Sequence, residues 1–290
     1  MLKLRLIPII PALLFAAVSC TNVYFENPVP QKAETLSSAP EALTGLYEYI
    51  NKEAQEDESV PEPFKNCILI EKTSESQLLI SSDTRLHERD LPLLRDQLEA
   101  KKTAGEISSY TLTEHYLLCT AMVPAENDGK RPQQQFISLT KEGPWYVVSQ
   151  KSQPFMLLDF KTSVSSALTA VKSGNLSGIL PEADSLETEE ARLVARSKDN
   201  AYYFNRKKPE LPGWELICLL PQPSGGWLIK TSDISDDKAF KEQLGNYNKI
   251  TPFEKIDDSK YRINPGDAEL ARLLAEKELF YSAELKRLDR

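Results

Sequence analysis

Histidine is scarce. The 290 residues contain two, His87 and His115. Neither sits at the spacing of a zinc motif, and His-Glu-Arg-Asp at 87–90 lacks the second histidine of a zincin. Also missing are a Gly-x-Ser-x-Gly elbow, a glycine-rich phosphate loop and a Cys-x-x-Cys pair. These absences remove the common signatures of metal-assisted, α/β-hydrolase, nucleotide and dithiol chemistry. No catalytic residue, metal ligand or cofactor is therefore assigned. The segments "SLTK" (Ser138–Lys141), "SGN" (Ser173–Asn175) and "KTS" (Lys230–Ser232) follow the order of penicillin-binding motifs. That chemistry needs the serine at a helix start with the lysine one turn on. Here "SLTK" runs into "EGPW", which reads as a strand end and a turn.

Positive charge is also in short supply. Thirty-five Lys and Arg stand against 43 Asp and Glu, for a net charge of −8. Phosphate backbones demand cations, so no nucleic-acid partner is expected. An anionic lipid surface would repel such a chain, so membrane affinity has to come from elsewhere. No apolar run reaches the ~20 residues of a bilayer span.

Among the residues present, the chain start is the most informative. Lys3 and Arg5 precede an apolar run from Leu6 to Val18, broken by Pro8 and Pro11, and small residues lead into Cys20. This is the charged and apolar order of a secretory leader. "AVSC" resembles the lipobox of bacterial lipoproteins, with Ala17 where leucine is usual. The resemblance implies cleavage before Cys20 and a diacylglycerol on its sulfur, with residues 1–19 as signal peptide. Loss of Lys3 and Arg5 leaves a mature net charge of −10. Two or three acyl chains, at ~0.8 kcal/mol per buried CH₂, hold a protein to a membrane far longer than one. Thr21 in place of aspartate after the cysteine implies, by the same resemblance, the outer membrane.

Residues 20–42, with Pro28, Pro30 and Pro40, read as the lipidated cysteine and a semi-rigid tether. Within them Val23, Tyr24 and Phe25 are apolar enough to lie at the lipid interface or to pack back onto the folded body, and packing is the favoured reading. Beyond Cys20, the cysteines Cys67, Cys119 and Cys218 lie in apolar strand-like contexts. Two readings stand: three buried inert thiols, or one disulfide with a spare thiol.

Short runs rich in β-branched and aromatic residues predict strands at 43–50, 66–71, 77–82, 107–112, 115–121, 134–140, 145–150, 192–197, 201–205, 214–220 and 227–232. Helices are predicted at Asp90–Lys101, at Ser163–Ser173, near Asp236, and at Pro265–Lys286 continuing to the chain end. The fold class is α+β, mainly antiparallel β, with a C-terminal amphipathic helix. "FISLTKEGPWYVVS" and "ELICLLPQPSGGWLIKTS" each read as strand, Gly/Pro turn and a strand opened by tryptophan. They suggest two tandem β-rich modules, residues 43–175 and 176–290, joined near 174–183.

"NVYFENPVPQ" behind the lipobox, and "AYYFN" some nine residues before "WELICLL", resemble outer-membrane lipoproteins of the Bacteroidota type. "LTGLYEY" resembles the Gly-x-Tyr/Trp opening strand of lipocalin-like barrels. These resemblances imply a cell-envelope address and a β-rich body. Three roles follow. The first is a non-catalytic interaction or scaffold module for envelope proteins or glycans. The second is a carrier whose β-barrel-like pocket is lined by Trp145, Tyr202, Trp214 and Trp227. The third is a hydrolase with an unrecognised site. In the first, the membrane is reached through the lipid on Cys20.

Cys20→Ser should move the protein from the membrane fraction to the soluble fraction of lysed cells. A variant that still partitions wholly with membranes would remove the anchor.

Overall fold

The structure is a computed structural model that describes residues 21–51, 63–124, 130–148, 153–172, 183–234, 236–276 and 279–288. The leader, Cys20, the acidic stretch 52–62 and nearly all of the 174–183 linker lie outside the described residues.

Strands come first along the chain: β1 (Asn22–Phe25), β2 (Glu34–Thr35), β3 (Gly45–Ile50), β4 (Phe64–Ser74) and β5 (Gln77–His87). Helix α1 (Leu91–Thr103) follows, then β6 (Ile107–Leu112), β7 (Tyr116–Pro124), β8 (Lys130–Ser138), β9 (Thr140–Glu142) and β10 (Trp145–Val147). Next are β11 (Gln153–Asp159), β12 (Val164–Lys172), β13 (Ala183–Lys198), β14 (Ala201–Lys207), β15 (Glu215–Pro221) and β16 (Trp227–Thr231). The last elements are α2 (Asp237–Tyr247), β17 (Glu254–Lys255), β18 (Lys260–Ile263), α3 (Asp267–Ala275) and β19 (Ser282–Leu288). The class is α+β, dominated by antiparallel strands.

The chain divides into two compact units. The first takes residues 1–42, 72–79 and 155–284, and the second takes 43–71, 80–154 and 285–290. Each therefore draws on chain far apart in sequence, and the first collects residues from both sides of position 175.

In the first unit, β11 to β16 form consecutive antiparallel neighbours in chain order. Trp214, Leu216 and Cys218 share one face, as their period-two spacing predicts, and are buried with Phe240, Tyr261, Leu270, Leu273 and Phe280. Helix α2 is N-capped by Asp236, whose carboxylate accepts from Lys238 and Ala239 N–H.

The segment expected as a tether is built into this unit. Strand β1 runs parallel to β18, with Val23 opposite Tyr261 and Phe25 opposite Ile263. Val23 and Phe25 are fully buried, which is the packing alternative for these apolar residues. Full burial of one such side chain is worth about 1.5–3 kcal/mol, which favours packing over a free tether. Asn205, itself 0% exposed, then grips the following residues. Its Oδ1 accepts from Val29 N–H at 2.8 Å, and its Nδ2 donates to the carbonyls of Val29 at 2.8 Å and Val194 at 3.1 Å. Gly213 lets β1 approach, because a Cβ there would meet Phe25 O at 2.7 Å.

Two predicted helices need correction. Residues 164–172 form strand β12, not a helix. Asp159 Oδ1 accepts from Lys161 and Thr162 N–H, and Ser163 takes a left-handed φ of 56°. That turn lays Val164 opposite Asp159, and β12 then finds partners on both sides, in β11 and β13. The apolar spacing Val164, Leu168, Val171 fits a helix locally, but strand pairing on two edges outweighs it. At the C-terminus the predicted cap at Asn264 moves two residues on: α3 begins after Gly266, whose N–H donates to Glu269 Oε2 at 2.8 Å. Leu270, Leu273 and Leu274 line its buried face as predicted. The helix ends at Ala275 instead of running to the chain end. Beyond it Leu279 and Phe280 enter the core, and Ala283 and Leu285 alternate with less buried neighbours in β19.

In the second unit, the main sheet runs β3-β4-β5-β10-β9 and a separate sheet runs β6-β7-β8. Helix α1 occupies the predicted position and packs Leu94 and Leu98 with Leu86, Ile107, Leu117, Ala121 and Tyr146. Tyr47, fully buried, donates from its hydroxyl to Leu43 O at 3.0 Å, while Arg287 lies over its ring and donates to Thr44 O at 3.0 Å. Both predicted tryptophan-opened hairpins form, as β9–β10 and β15–β16. Only the second is followed by a helix in the expected place.

Asn205→Ala should destabilise the protein by about 2–4 kcal/mol in urea unfolding, since buried partners left unpaired cost about 1–3 kcal/mol each. A loss below about 0.5 kcal/mol would show that the clamp does not hold the N-terminal strand.

Candidate functional site

The four aromatics expected to line one pocket are not brought together. Trp145 belongs to the second unit and is buried with Leu46 and Cys67. Residues directly opposed on antiparallel strands share a face. Tyr203 opposes Cys218, which places Trp214 on their face. Tyr202 opposes Leu219, and Leu219 opposes Ile229. Tyr202 and Trp227 therefore share the reverse face, their rings edge-on at 5.5 Å. A cavity of about 40 Å³ in the first unit is lined by Thr35, Leu36, Phe160, Ser163 and Leu193–Ala195. None of the four aromatics lines it, and it falls far below the ~300 Å³ at which small-molecule pockets begin.

The second unit buries a charged cluster on its main sheet. Trp145 opposes His87, and Val147 opposes Arg85, so Arg85 and Asp83 share this face. Asp83, its side chain wholly buried, takes a two-pronged bond from Arg85, with Nη2 to Oδ2 at 2.7 Å and Nε to Oδ1 at 2.9 Å. Arg85 Nη1 also reaches Glu142 at 3.2 Å, and Lys65 pairs with Glu48 at 2.7 Å. Burial, reinforced by the Asp83 carboxylate, pushes the Cys67 thiol up to about 12. A thiol so protonated is no nucleophile. Charges matched at this distance stabilise each other.

Several other polar residues named in the sequence have structural partners. His87 Nδ1 accepts from Arg89 N–H at 3.1 Å, and its ring meets Trp145 edge-on. His115, expected in a strand, lies exposed in the turn before β7. Among the described residues no group of three His, Cys, Asp or Glu is placed to hold a metal ion. Cys67, Cys119 and Cys218 are buried free thiols, so the disulfide reading is corrected in favour of inert thiols. Ser138 ends β8 and Lys141, in β9, pairs with Glu88 at 3.2 Å, which leaves the "SLTK" serine without its base. Burial holds Lys230 below the usual lysine range, and its ammonium donates to the Glu276 carbonyl at the end of α3, a helix C-cap. Cys20 lies outside the described residues.

One surface was not singled out in the sequence. In the sheet β6-β7-β8, Leu117, Cys119 and Ala121 point inward and are buried. Their alternates Tyr116, Leu118, Thr120 and Met122 share the outer face with Ser138, Phe136, Gln134 and Pro132, their cross-strand partners. Phe136 is 51% exposed, and its ring stacks on Tyr116 at 5.6 Å with planes 26° apart. None of these eight side chains carries a charge. The period-two alternation of "YLLCTAM" signals a half-buried strand, but not which neighbouring strand supplies the second ring.

No protein-family model matches the chain, nor does any curated protein or solved structure.

Asp83→Ala should destabilise by about 3–5 kcal/mol in urea unfolding by stranding the buried guanidinium, whereas the paired change Asp83→Leu with Arg85→Met should cost far less. Equal losses in the two would show that Arg85 is not held by charge pairing.

Proposed function

We propose that this is a non-catalytic binding protein of the bacterial cell envelope, held by a lipid on Cys20, whose outer β6-β7-β8 face docks a neutral envelope glycan. The observation that carries the reading is the stacked Tyr116–Phe136 pair, with Phe136 half exposed, among eight uncharged side chains, while Lys130, opposite Pro124, stands at the end of the same face. Pyranose rings stack their C–H faces on aromatic rings, and their hydroxyls pair with amides and hydroxyls such as Gln134, Thr120 and Ser109.

The lipid anchor rests on the leader and on the residues Ala17–Cys20. Burial of Thr21, whose N–H donates to Asp237 Oδ1 at 2.8 Å, limits how far the folded body stands from the lipid. A single residue step of about 3.8 Å separates the Cys20 and Thr21 Cα atoms. The first unit would therefore rest close against the bilayer, with almost no tether. Surface attachment raises the local concentration of neighbouring glycans, so weak individual contacts suffice.

Phe136→Ala should reduce retention on neutral polysaccharide from the host envelope by about tenfold, roughly 1.4 kcal/mol, with an unchanged melting temperature. Retention of full binding by both Phe136→Ala and Tyr116→Ala would remove the glycan reading. A crosslinked protein partner on this face, in the absence of glycan binding, would replace it with the scaffold role.

A further inference from the structure

Most cations in and just after β13 and β14 have partners. Arg206 pairs with Glu215 at 3.0 Å, Lys208 with Glu189 at 2.9 Å and Lys198 with Asp267 at 2.9 Å, while Arg196 donates to the Pro30 carbonyl. Two cations are the exception. Arg192 and Lys207 have no acid at ion-pair distance among the described residues. They are direct cross-strand partners, so two like charges face each other on one side of the sheet. Both stand over the ring of Trp214, with Arg192 Cζ at 5.5 Å and Lys207 Nζ at 5.9 Å from its centroid. Glu190 lies two positions before Arg192 on the same face but is not within ion-pair distance of it.

Like charges directly opposed on neighbouring strands destabilise a sheet. The indole face offsets part of that through cation–π attraction. It also fixes both cations on one rigid base, because Trp214 is buried and exchanges backbone hydrogen bonds with Phe25 at 2.8 Å each way. In a chain of net charge −8, an unpaired cation pair is out of keeping with the general surface. A dianionic group seated between them would remove the repulsion and satisfy both. A guanidinium fork with an ammonium beside it matches phosphate oxygens, the fork bonding two of them and the ammonium acting as a point charge.

We propose that Arg192 and Lys207, seated on Trp214, form a binding site for a phosphate group carried by an envelope component. The site lies in the first unit and does not depend on the neutral face of the second. Two sources share this chemistry: the headgroup of an anionic phospholipid, and a phosphorylated sugar.

The test uses the full-length protein in detergent at low ionic strength. Inorganic phosphate should raise the melting temperature by about 2–4 °C over chloride at matched ionic strength. Arg192→Gln with Lys207→Gln should abolish that difference. Without phosphate, Lys207→Gln alone should melt at or above the wild type, since it relieves the like-charge pair. A phosphate shift no larger than that of chloride, or one that survives in the double variant, would overturn the proposal. So would a Lys207→Gln protein that melts well below the wild type without phosphate, because the cations would then be packing groups. Vesicles of phosphatidylcholine with and without phosphatidic acid, set against glucose 1-phosphate, distinguish the sources. Preference for the phosphatidic acid vesicles assigns the headgroup, and preference for the sugar assigns the glycan. Binding to neither overturns the site.

Discussion

The side chain of Asn205 holds the N-terminal segment to the first unit. It is fully buried, and three backbone groups depend on it: Val29 N–H, Val29 O and Val194 O. An asparagine amide is one of the few side chains that can donate and accept at once in a dry interior, copying a strand where no strand is available. With Val29 held there, β1 lies along β18 and inserts Val23 and Phe25 into the core with Phe280 and Ile263. Gly213 and Trp214 answer from the other side, where a Cβ on residue 213 would collide with the Phe25 carbonyl. The same contacts fix the indole on which Arg192 and Lys207 stand. A proline-rich stretch thereby becomes part of the folded body, and the proposed lipid anchor is brought close to it.

Charge inside the protein is arranged for pairing more than for reaction. Asp83 and Arg85 hold each other in a buried fork, Lys65 holds Glu48, and the buried thiols of Cys67 and Cys218 are pushed toward the protonated form by burial. Two surfaces depart from this pattern in opposite ways. The outer face of β6-β7-β8 offers rings and amides around Phe136, and the Trp214 corner offers two cations with no acid at ion-pair distance among the described residues.

Much of the local structure was legible in the sequence. Alternation in "WELICLL" put Trp214, Leu216 and Cys218 on one buried face, Leu94 and Leu98 marked the inner side of α1, and Asp236 announced α2. These signals are short-range: a side-chain period of two or 3.6, or a carboxylate beside free N–H groups. Residues 164–172 show where such signals fail. Their apolar spacing suits a helix, yet a turn at Ser163 and strands on both sides make them a strand. The chain after Ala275 fails in the same way, because Leu279, Phe280 and Ala283 answer to a distant core.

The candidate sites divide along the same line. The sequence by itself determined the acidic balance, the mainly antiparallel class and the shortage of catalytic signatures, since each depends on residue type and near spacing. It could not show that Tyr202 and Trp214, twelve residues apart, stand on opposite faces of one sheet, because that follows from the register of β14 against β15. Nor could it pair Tyr116 with Phe136, or set Arg192 opposite Lys207. Those neighbours belong to different strands, and only strand pairing in the folded chain, with one face buried to hold the register, decides which side chains meet.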